Sequence, residues 1–287
     1  MRGRKRDYAR EERLREQWGK VSVAKIARQE GTSTGSIYRS ARRIGLHKHK
    51  NRKTAPPALP KSHPAIRKSQ PKHDSRMVTA ETSPGIFVRG KENRKIGGAV
   101  TKGRWKGMPI YTLTLAERVT CPHSCQMWTT CYGNNLHWPR RHVLDDALIE
   151  RMRWELTALA NRHADGFVVR LHVLGDFGSD KDPALAQRYV EAWAGWLAKF
   201  PALRVFGFTA WGPDTPVGRV VGNLNRTFAD RWRVRFSGHG GENGALVIDT
   251  PEDGENVVCP FETGRVEHCG ACALCWTMNR TVEFIRH

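Results

Sequence analysis

The sequence predicts an α/β domain: a parallel sheet forming a partial barrel and carrying two cysteine metal or cluster sites, preceded by a small all-α helix-turn-helix and a disordered basic linker. Three observations carry that expectation. Beyond residue 85, short apolar runs alternate with helix-period segments, the pattern of strands joined by crossover helices. Residues 47–84 hold Pro56, Pro57, Pro60, Pro64 and Pro71 with many lysines and few large apolar residues. All seven cysteines fall in two tight groups, at 121–131 and 259–275. The expected domains are therefore 1–46, 47–84 and 85–287.

The net charge of +20 is concentrated at one end. Residues 1–80 hold 22 Lys and Arg against 6 Asp and Glu, whereas the rest holds 26 against 22. A polycation beside a nearly neutral domain points to nucleic acid, probably no less than to a solubilising tail in composition but far more so in pattern, because neutralising phosphates releases condensed counterions.

Results

Sequence analysis

The sequence predicts an α/β domain in which a parallel sheet forms a partial barrel and carries two cysteine metal or cluster sites. A small all-α helix-turn-helix and a disordered basic linker precede it. Three observations carry that expectation. Beyond residue 85, short apolar runs alternate with helix-period segments, the pattern of strands joined by crossover helices. Residues 47–84 hold Pro56, Pro57, Pro60, Pro64 and Pro71, many lysines and few large apolar residues. All seven cysteines fall in two tight groups, at 121–131 and 259–275. The expected domains are therefore 1–46, 47–84 and 85–287.

The first module reads as two short helices. Ser22 is a good N-cap, Val23, Ile26 and Ala27 share one face, and Gly31 breaks the helix. A second helix is capped by Thr32, Ser33 or Thr34, repeats Ile37, Ala41 and Ile44 at helical spacing, and ends at Gly45. Two helices joined by a glycine-containing turn form a helix-turn-helix whose second helix enters the major groove. Its exposed candidates are Ser33, Thr34, Ser36, Tyr38, Arg39 and Arg42. Charge agrees. Of the net +20, residues 1–80 hold 22 Lys and Arg against 6 Asp and Glu, and the remainder 26 against 22. A polycation of that density points to nucleic acid, DNA in the first place, because neutralised phosphates release counterions. A solubilising tail, or a helical hairpin docked on another protein, is the plainer alternative. The linker lacks the burial needed to offset ordering entropy, and His47, His49 and His63 read as solvated.

In the large domain, 95–116 reads as an entry hairpin or strand and 141–163 as a helix with Val143, Leu144, Ala147, Leu148, Met152 and Leu156 on one stripe. "GFVVRLHVLGDFG" is a buried strand. "DPALAQRYVEAWAGWLAKFP" is a helix turning Leu185, Tyr189, Trp193, Trp196 and Leu197 inward. "LRVFGFTAW", "RWRVRFSG" and "ALVIDT" are strands, "NLNRTFADR" is a poor helix candidate, and "GHGGENG" reads as a flexible loop or lid. Active sites of such folds lie at the carboxyl ends of the strands. Tyr132, Asn134, His172, Thr209, Ser237 and His239 are rim candidates there, although His172 equally fits a satisfied core histidine.

The chemistry rests on the cysteines. No run approaches the roughly 20 apolar residues of a membrane span, and the start, MRGRKRDYAREERLREQW, lacks a signal-peptide apolar segment. A soluble cytoplasmic protein is expected, with no membrane partner and with reduced thiols. Cys121, Cys125 and Cys131 run C-x3-C-x5-C, three thiolates able to hold a cluster or ion with a fourth position open. Cys269, Cys272 and Cys275 run C-x2-C-x2-C, with Cys259 ahead of them and followed by Pro260. That group is a closed site for an iron-sulfur cluster, with zinc as the alternative.

The three-plus-four partition on an α/β scaffold resembles radical-SAM enzymes with an auxiliary cluster. The resemblance implies 4Fe-4S clusters, S-adenosylmethionine at the open iron, and Asp176 of "VLGDF" as the catalytic-site carboxylate that binds the cofactor's amino group. The usual loop is C-x3-C-x2-C with an aromatic before the last cysteine; this chain has C-x3-C-x5-C with Thr130 there. The segments "TLTLAERVTCPHSCQMWTTCYG", "VVRLHVLGDF", "RVRFSG" and "VVCPFETGRVEHCGACALCW", in that order, also resemble the phage and prophage gene-product-88 family over about residues 85–287. That resemblance implies a phage-type, metal-dependent domain working in a bacterial host's cytoplasm.

The leading expectation is thus a radical-SAM-like iron-sulfur enzyme that acts on, or is targeted to, nucleic acid. A non-catalytic DNA-binding regulator stapled by zinc is the second, with His123, His137 or His142 completing the first group. A zinc deaminase-like enzyme is third, and the HxE and PCxxC signature it needs is missing. No GxxxxGK[ST] or GxSxG motif occurs. Trp128, Trp138, Trp211 and Trp276 flank the cysteines as shields or stacking surfaces.

Overall fold

The computed structural model describes residues 8–18, 20–44, 46 and 76–286, and the chain divides between residues 58 and 59 into two compact units. Gly45, the three linker histidines and the expected linker as far as residue 75 lie outside the described residues. No described helix is long and apolar enough to cross a membrane.

The first unit holds three short helices, α1 (Tyr8–Gln17), α2 (Val23–Gln29) and α3 (Thr34–Arg43). Ser22 caps α2 by accepting from the Lys25 N–H, and Ser33 caps α3 by accepting from the Ser36 N–H. Leu14, Val23, Ile26, Ala27, Ile37, Ala41 and Ile44 form a small core that α1 completes. Arg15 reaches across to the Ile44 carbonyl at 3.1 Å, satisfying one of the orphan acceptors at the end of α3.

Eight strands of the second unit form one sheet: β2 (Val88–Arg89), β3 (Ile110–Thr112), β5 (Phe167–Arg170), β6 (Leu203–Thr209), β7 (Trp232–Ser237), β8 (Gly244–Ile248), β9 (Val257–Val258) and β10 (Val282–Ile285). Their spatial order is β2-β3-β5-β6-β7-β8-β10-β9, with every pairing parallel except β2 with β3. The expected partial barrel is instead an open row ending at β2 and β9. Residues 76–84, expected within the linker, belong to this unit. β1 (Met77–Val78) pairs with β4 (Arg141–His142), Ala80 is buried, and Ser83 Oγ lies 2.8 Å from His142 Nε2. One short ladder and two buried small side chains order a stretch whose composition reads as linker.

Three helices link the central strands: α4 (Asp146–Arg162), α5 (Pro183–Lys199) and α6 (Pro216–Thr227). Asp145, Asp182 and Thr215 cap them, accepting from Leu148, Leu185 and Gly218 respectively. The expected stripe of α4 is buried from Leu148 onward, but Val143 and Leu144 precede the helix and Ala147 is exposed. On α5, Tyr189, Trp193, Trp196 and Leu197 turn inward as expected. Helix α6 corrects the sequence expectation of no helix there. Its Gly and Asn content lowers intrinsic propensity, but a Thr-Pro start and the burial of Val217, Val221 and Leu224 outweigh it. The glycine-rich segment after β7 is tied down, since Gly241 N–H donates to Thr281 Oγ1 at 2.8 Å and that hydroxyl donates back to Gly241 O at 3.0 Å.

Strand alternation separates two layers. Phe167 and Val169 of β5, Leu203 and Val205 of β6, and Trp232 and Val234 of β7 pack in the core with the three helices. Val168 and Phe206 join a second cluster with Trp105, Trp276 and the partly buried Cys269 and Cys275. The second cysteine group therefore sits on the sheet face opposite α4–α6.

Candidate metal centres

The first group lies on the loop after β3, over the carboxyl ends of the parallel strands. Ser124 Oγ donates to Ala210 O, just past β6, at 3.3 Å. A Cβ on Gly238, just past β7, would meet the Gln126 amide at 2.7 Å, so this position requires glycine both for that approach and for its φ of +80°. The loop is anchored by Arg141, wholly buried. Its Nε donates to Glu117 Oε2 at 2.8 Å, and its other nitrogens donate to the carbonyls of Pro139, Gly133 and Leu136. Arg118, at φ +66°, donates through Nε to Trp128 O and through Nη2 to Asn134 Oδ1, so the rim candidate Asn134 is a loop brace.

Each thiol of this loop meets a backbone N–H. Arg118 N–H donates to Cys121 Sγ at 3.3 Å, Met127 N–H to Cys125, and Gly133 N–H to Cys131. The thiols also feel one another and Asp176. Burial, Asp176 and Cys125 push Cys121 well up, and burial above all pushes Cys125 up to about 12. Such thiols ionise only when a cation offsets the charge. Backbone N–H groups aimed at sulfur are the donor pattern that suits thiolates bound to metal.

The second group gathers Cys259, just past β9, with α7 (Cys269–Cys272) and α8 (Leu274–Thr277), two single turns joined by Ala273 at φ +64°. Phe261 and Glu262 N–H groups point at Cys259. Burial raises Cys269 to about 11 and Cys275 to about 12, and each feels the other three members of its group or their charge. Arg235 and Lys95 oppose these shifts. His268 accepts from Ala271 N–H as the cap of α7 and is not a spare ligand at Nδ1. As they stand, no three His, Cys, Asp or Glu side chains among the described residues are in chelating geometry. The donor chemistry fits a thiolate-held metal; closing on an ion requires the thiols to rotate inward.

Other candidates separate clearly. Asp176 is buried, its Oδ1 accepting from Thr209 Oγ1 and Phe177 N–H, both at 2.7 Å, and its Oδ2 from Ala210 N–H at 2.6 Å. Burial still pushes it up to about 6. Its carboxylate brackets the β5 and β6 ends and Thr120, whose hydroxyl receives the Asp176 N–H. Thr209 serves that bracket, Ser237 is half-buried and His239 is exposed. Tyr132 exposes 44% of its surface, yet its hydroxyl is desolvated inside and raised, with Arg170 opposing the shift. Arg170 also acts on Cys269 and Cys275, which places this buried cation between the two cysteine groups. His123 pairs with Asp180 and stacks on Trp128, His137 is exposed, and His142 is buried between Ser83 and the Thr114 carbonyl. Trp128, Trp211 and Trp276 are buried as shields, whereas Trp138 is 57% exposed. Glu117, Arg118, Arg141, Arg170 and Arg235 carry no spacing signal and are seen only in the fold.

His172 is a core histidine. Its Nε2 lies 3.0 Å from Tyr189 Oη, and burial, aided by Arg170, drives it down to about 3. The folded state thus binds no proton here while the unfolded chain gains one below about 6.5, so this contribution to stability is lost as pH falls. Asp176, raised in the fold, acts in the opposite sense, so a difference measurement is needed. The stability advantage of wild type over His172→Gln should shrink by about 1.4 kcal/mol per unit between pH 6 and 4. Urea titrations at both pH values check this, and a constant gap would refute it.

The chain matches no family model, no curated protein and no solved structure.

Proposed function

We propose that the large unit is a radical-SAM-like iron-sulfur enzyme of phage type and that the small unit directs it to nucleic acid. The observation that carries the reading is the loop after β3: three buried thiols, each facing a backbone N–H, at the carboxyl ends of parallel strands. Cys121, Cys125 and Cys131 hold the catalytic cluster, and Cys259, Cys269, Cys272 and Cys275 a closed one. A cluster with one iron free of cysteine supplies the electron for reductive cleavage of S-adenosylmethionine. The chain's part is to hold the thiolates, exclude water with Trp128 and Trp211, and present Tyr132, Ser237 and His239 at the rim. In the small unit, read as a helix-turn-helix, α3 exposes Thr34, Tyr38, Arg39 and Arg42. Ser33 is used as the cap and Ser36 is half-buried.

A zinc-stapled DNA-binding regulator is the second reading. The observation favouring it is the saturated Asp176, which leaves the cofactor's amino group without the acceptor that the resemblance assigns.

One preparation tests both. Anaerobically purified protein should contain about four to eight irons with matching sulfide, absorb broadly near 400 nm, and lose part of both in the Cys121→Ala, Cys125→Ala, Cys131→Ala variant. Zinc without iron would leave the regulator as the account. Under either reading, duplex DNA binding should weaken steeply as salt rises, and salt-insensitive or absent binding would remove the nucleic-acid partner.

A further inference from the structure

The first cysteine group contains a fourth donor that its spacing does not announce. Glu117 is 1% exposed, and only one of its carboxylate oxygens is used, Oε2 accepting from Arg141 at 2.8 Å. The other, Oε1, is buried and has no hydrogen-bond partner among the described residues. A buried carboxylate oxygen left unpaired is costly, and native proteins retain one where an ion, water or ligand answers it.

Its surroundings say which. The point where a Cβ on Gly133 would sit is 3.3 Å from Glu117 Cδ and also 3.3 Å from Cys131 Sγ. Glycine at 133 thus leaves open the space shared by the carboxylate and the thiol. Arg141 holds Glu117 through the oxygen that faces away from this space and also grips the carbonyls of Gly133 and Leu136, so the carboxylate and the loop bearing Cys131 are fixed to each other. Arg118, next in the chain, sits at φ +66° and gives its N–H to Cys121, a conformation disfavoured for a residue with a side chain. One strained dipeptide therefore turns a carboxylate and an N–H toward the same set of thiols.

We propose that Glu117 Oε1 is the fourth protein donor to a divalent metal held by Cys121, Cys125 and Cys131. A hard carboxylate oxygen beside three soft thiolates is the exchangeable member of such a set, the one an incoming ligand replaces. This rests on the reading of the three cysteines as a metal centre, and the test separates the two.

The full chain is prepared metal-free and loaded with 113Cd2+ alone, and its 113Cd resonances are recorded for wild type, Glu117→Gln and Glu117→Asp. Wild type should give one resonance typical of four sulfurs, from the second group, and one shifted toward mixed sulfur and oxygen ligation. Glu117→Gln should move the second resonance and weaken Cd2+ binding at that site by about tenfold or more, leaving the four-sulfur signal in place as evidence of folding. If Glu117→Gln loses both signals, Glu117→Asp, which keeps the charge for Arg141 and withdraws the oxygen by one methylene, must still move the mixed signal alone. Two unchanged resonances in a folded variant would overturn the Glu117 assignment while leaving the three-cysteine site intact. A single four-sulfur resonance in wild type would overturn both.

Discussion

Arg235→Leu is expected to destabilise the large unit by about 3–5 kcal/mol and to abolish metal retention by the second cysteine group. Arg235 has no exposed surface and no carboxylate partner. Its charge is met by carbonyl oxygens: Cys275 through Nε at 3.1 Å, Gly244 and Arg280 through Nη1 at 3.2 and 2.7 Å, and Leu274 and Met278 through Nη2 at 3.4 and 2.7 Å. Leu274, Cys275 and Met278 belong to or directly follow α8, a single turn whose last carbonyls have no partner within the helix. The guanidinium supplies those donors and fastens the Cys275 segment to β7. Leucine matches much of the volume and none of the donors, so several buried carbonyls lose their bonds together, each worth about 1 kcal/mol or more. Urea unfolding with metal analysis reads both effects. Arg235→Lys, with its donors gathered at one point, should fall between the two. A loss below about 1 kcal/mol for leucine would mean that water reaches these carbonyls and that the bracket is not what holds α8.

How much of this was legible in the sequence depends on the kind of signal. Helices α4 and α5 and strands β5–β8 follow from apolar periodicity, since burying one face is what selects them. The pairing of cysteines into a three and a four also follows, because ligand spacing is local. Helix α6 does not, because packing of Val217, Val221 and Leu224 outweighs weak intrinsic propensity. The anchoring arginines do not either. Arg141 and Arg235 read in sequence as solvated charges on strands, and only the fold shows each surrounded by carbonyls. Glu117 is hidden for the same reason. Asp176 falls between these cases: its place after a strand is legible, but which way its carboxylate points is decided by residues on another strand.

That last case yields a sharp expectation. Asp176→Asn should cost about 2–3 kcal/mol of stability, a loss that a residue serving only to bind a cofactor would not show. The aspartate accepts three bonds, two on Oδ1 and one on Oδ2. An asparagine can accept on one side only. With its amide nitrogen toward Ala210, two N–H groups face each other across the site of a 2.6 Å bond; with the amide flipped, the nitrogen meets the Phe177 N–H instead. Neither orientation satisfies both backbone donors, and no water-accessible escape exists for a side chain 4% exposed. The damage should spread, because Thr209 Oγ1 also accepts from Trp211 N–H and Thr120 Oγ1 holds the Asp176 N–H one residue before Cys121. Metal affinity at the first cysteine group should therefore fall alongside stability. Thr209→Val removes one of the same bonds, lengthens none of the others, and should reproduce a smaller part of both losses. If Asp176→Asn instead unfolds at the wild-type urea midpoint while failing to bind S-adenosylmethionine, the carboxylate is a cofactor ligand, and the bonds to Thr209, Phe177 and Ala210 exchange for the cofactor at little cost to the fold.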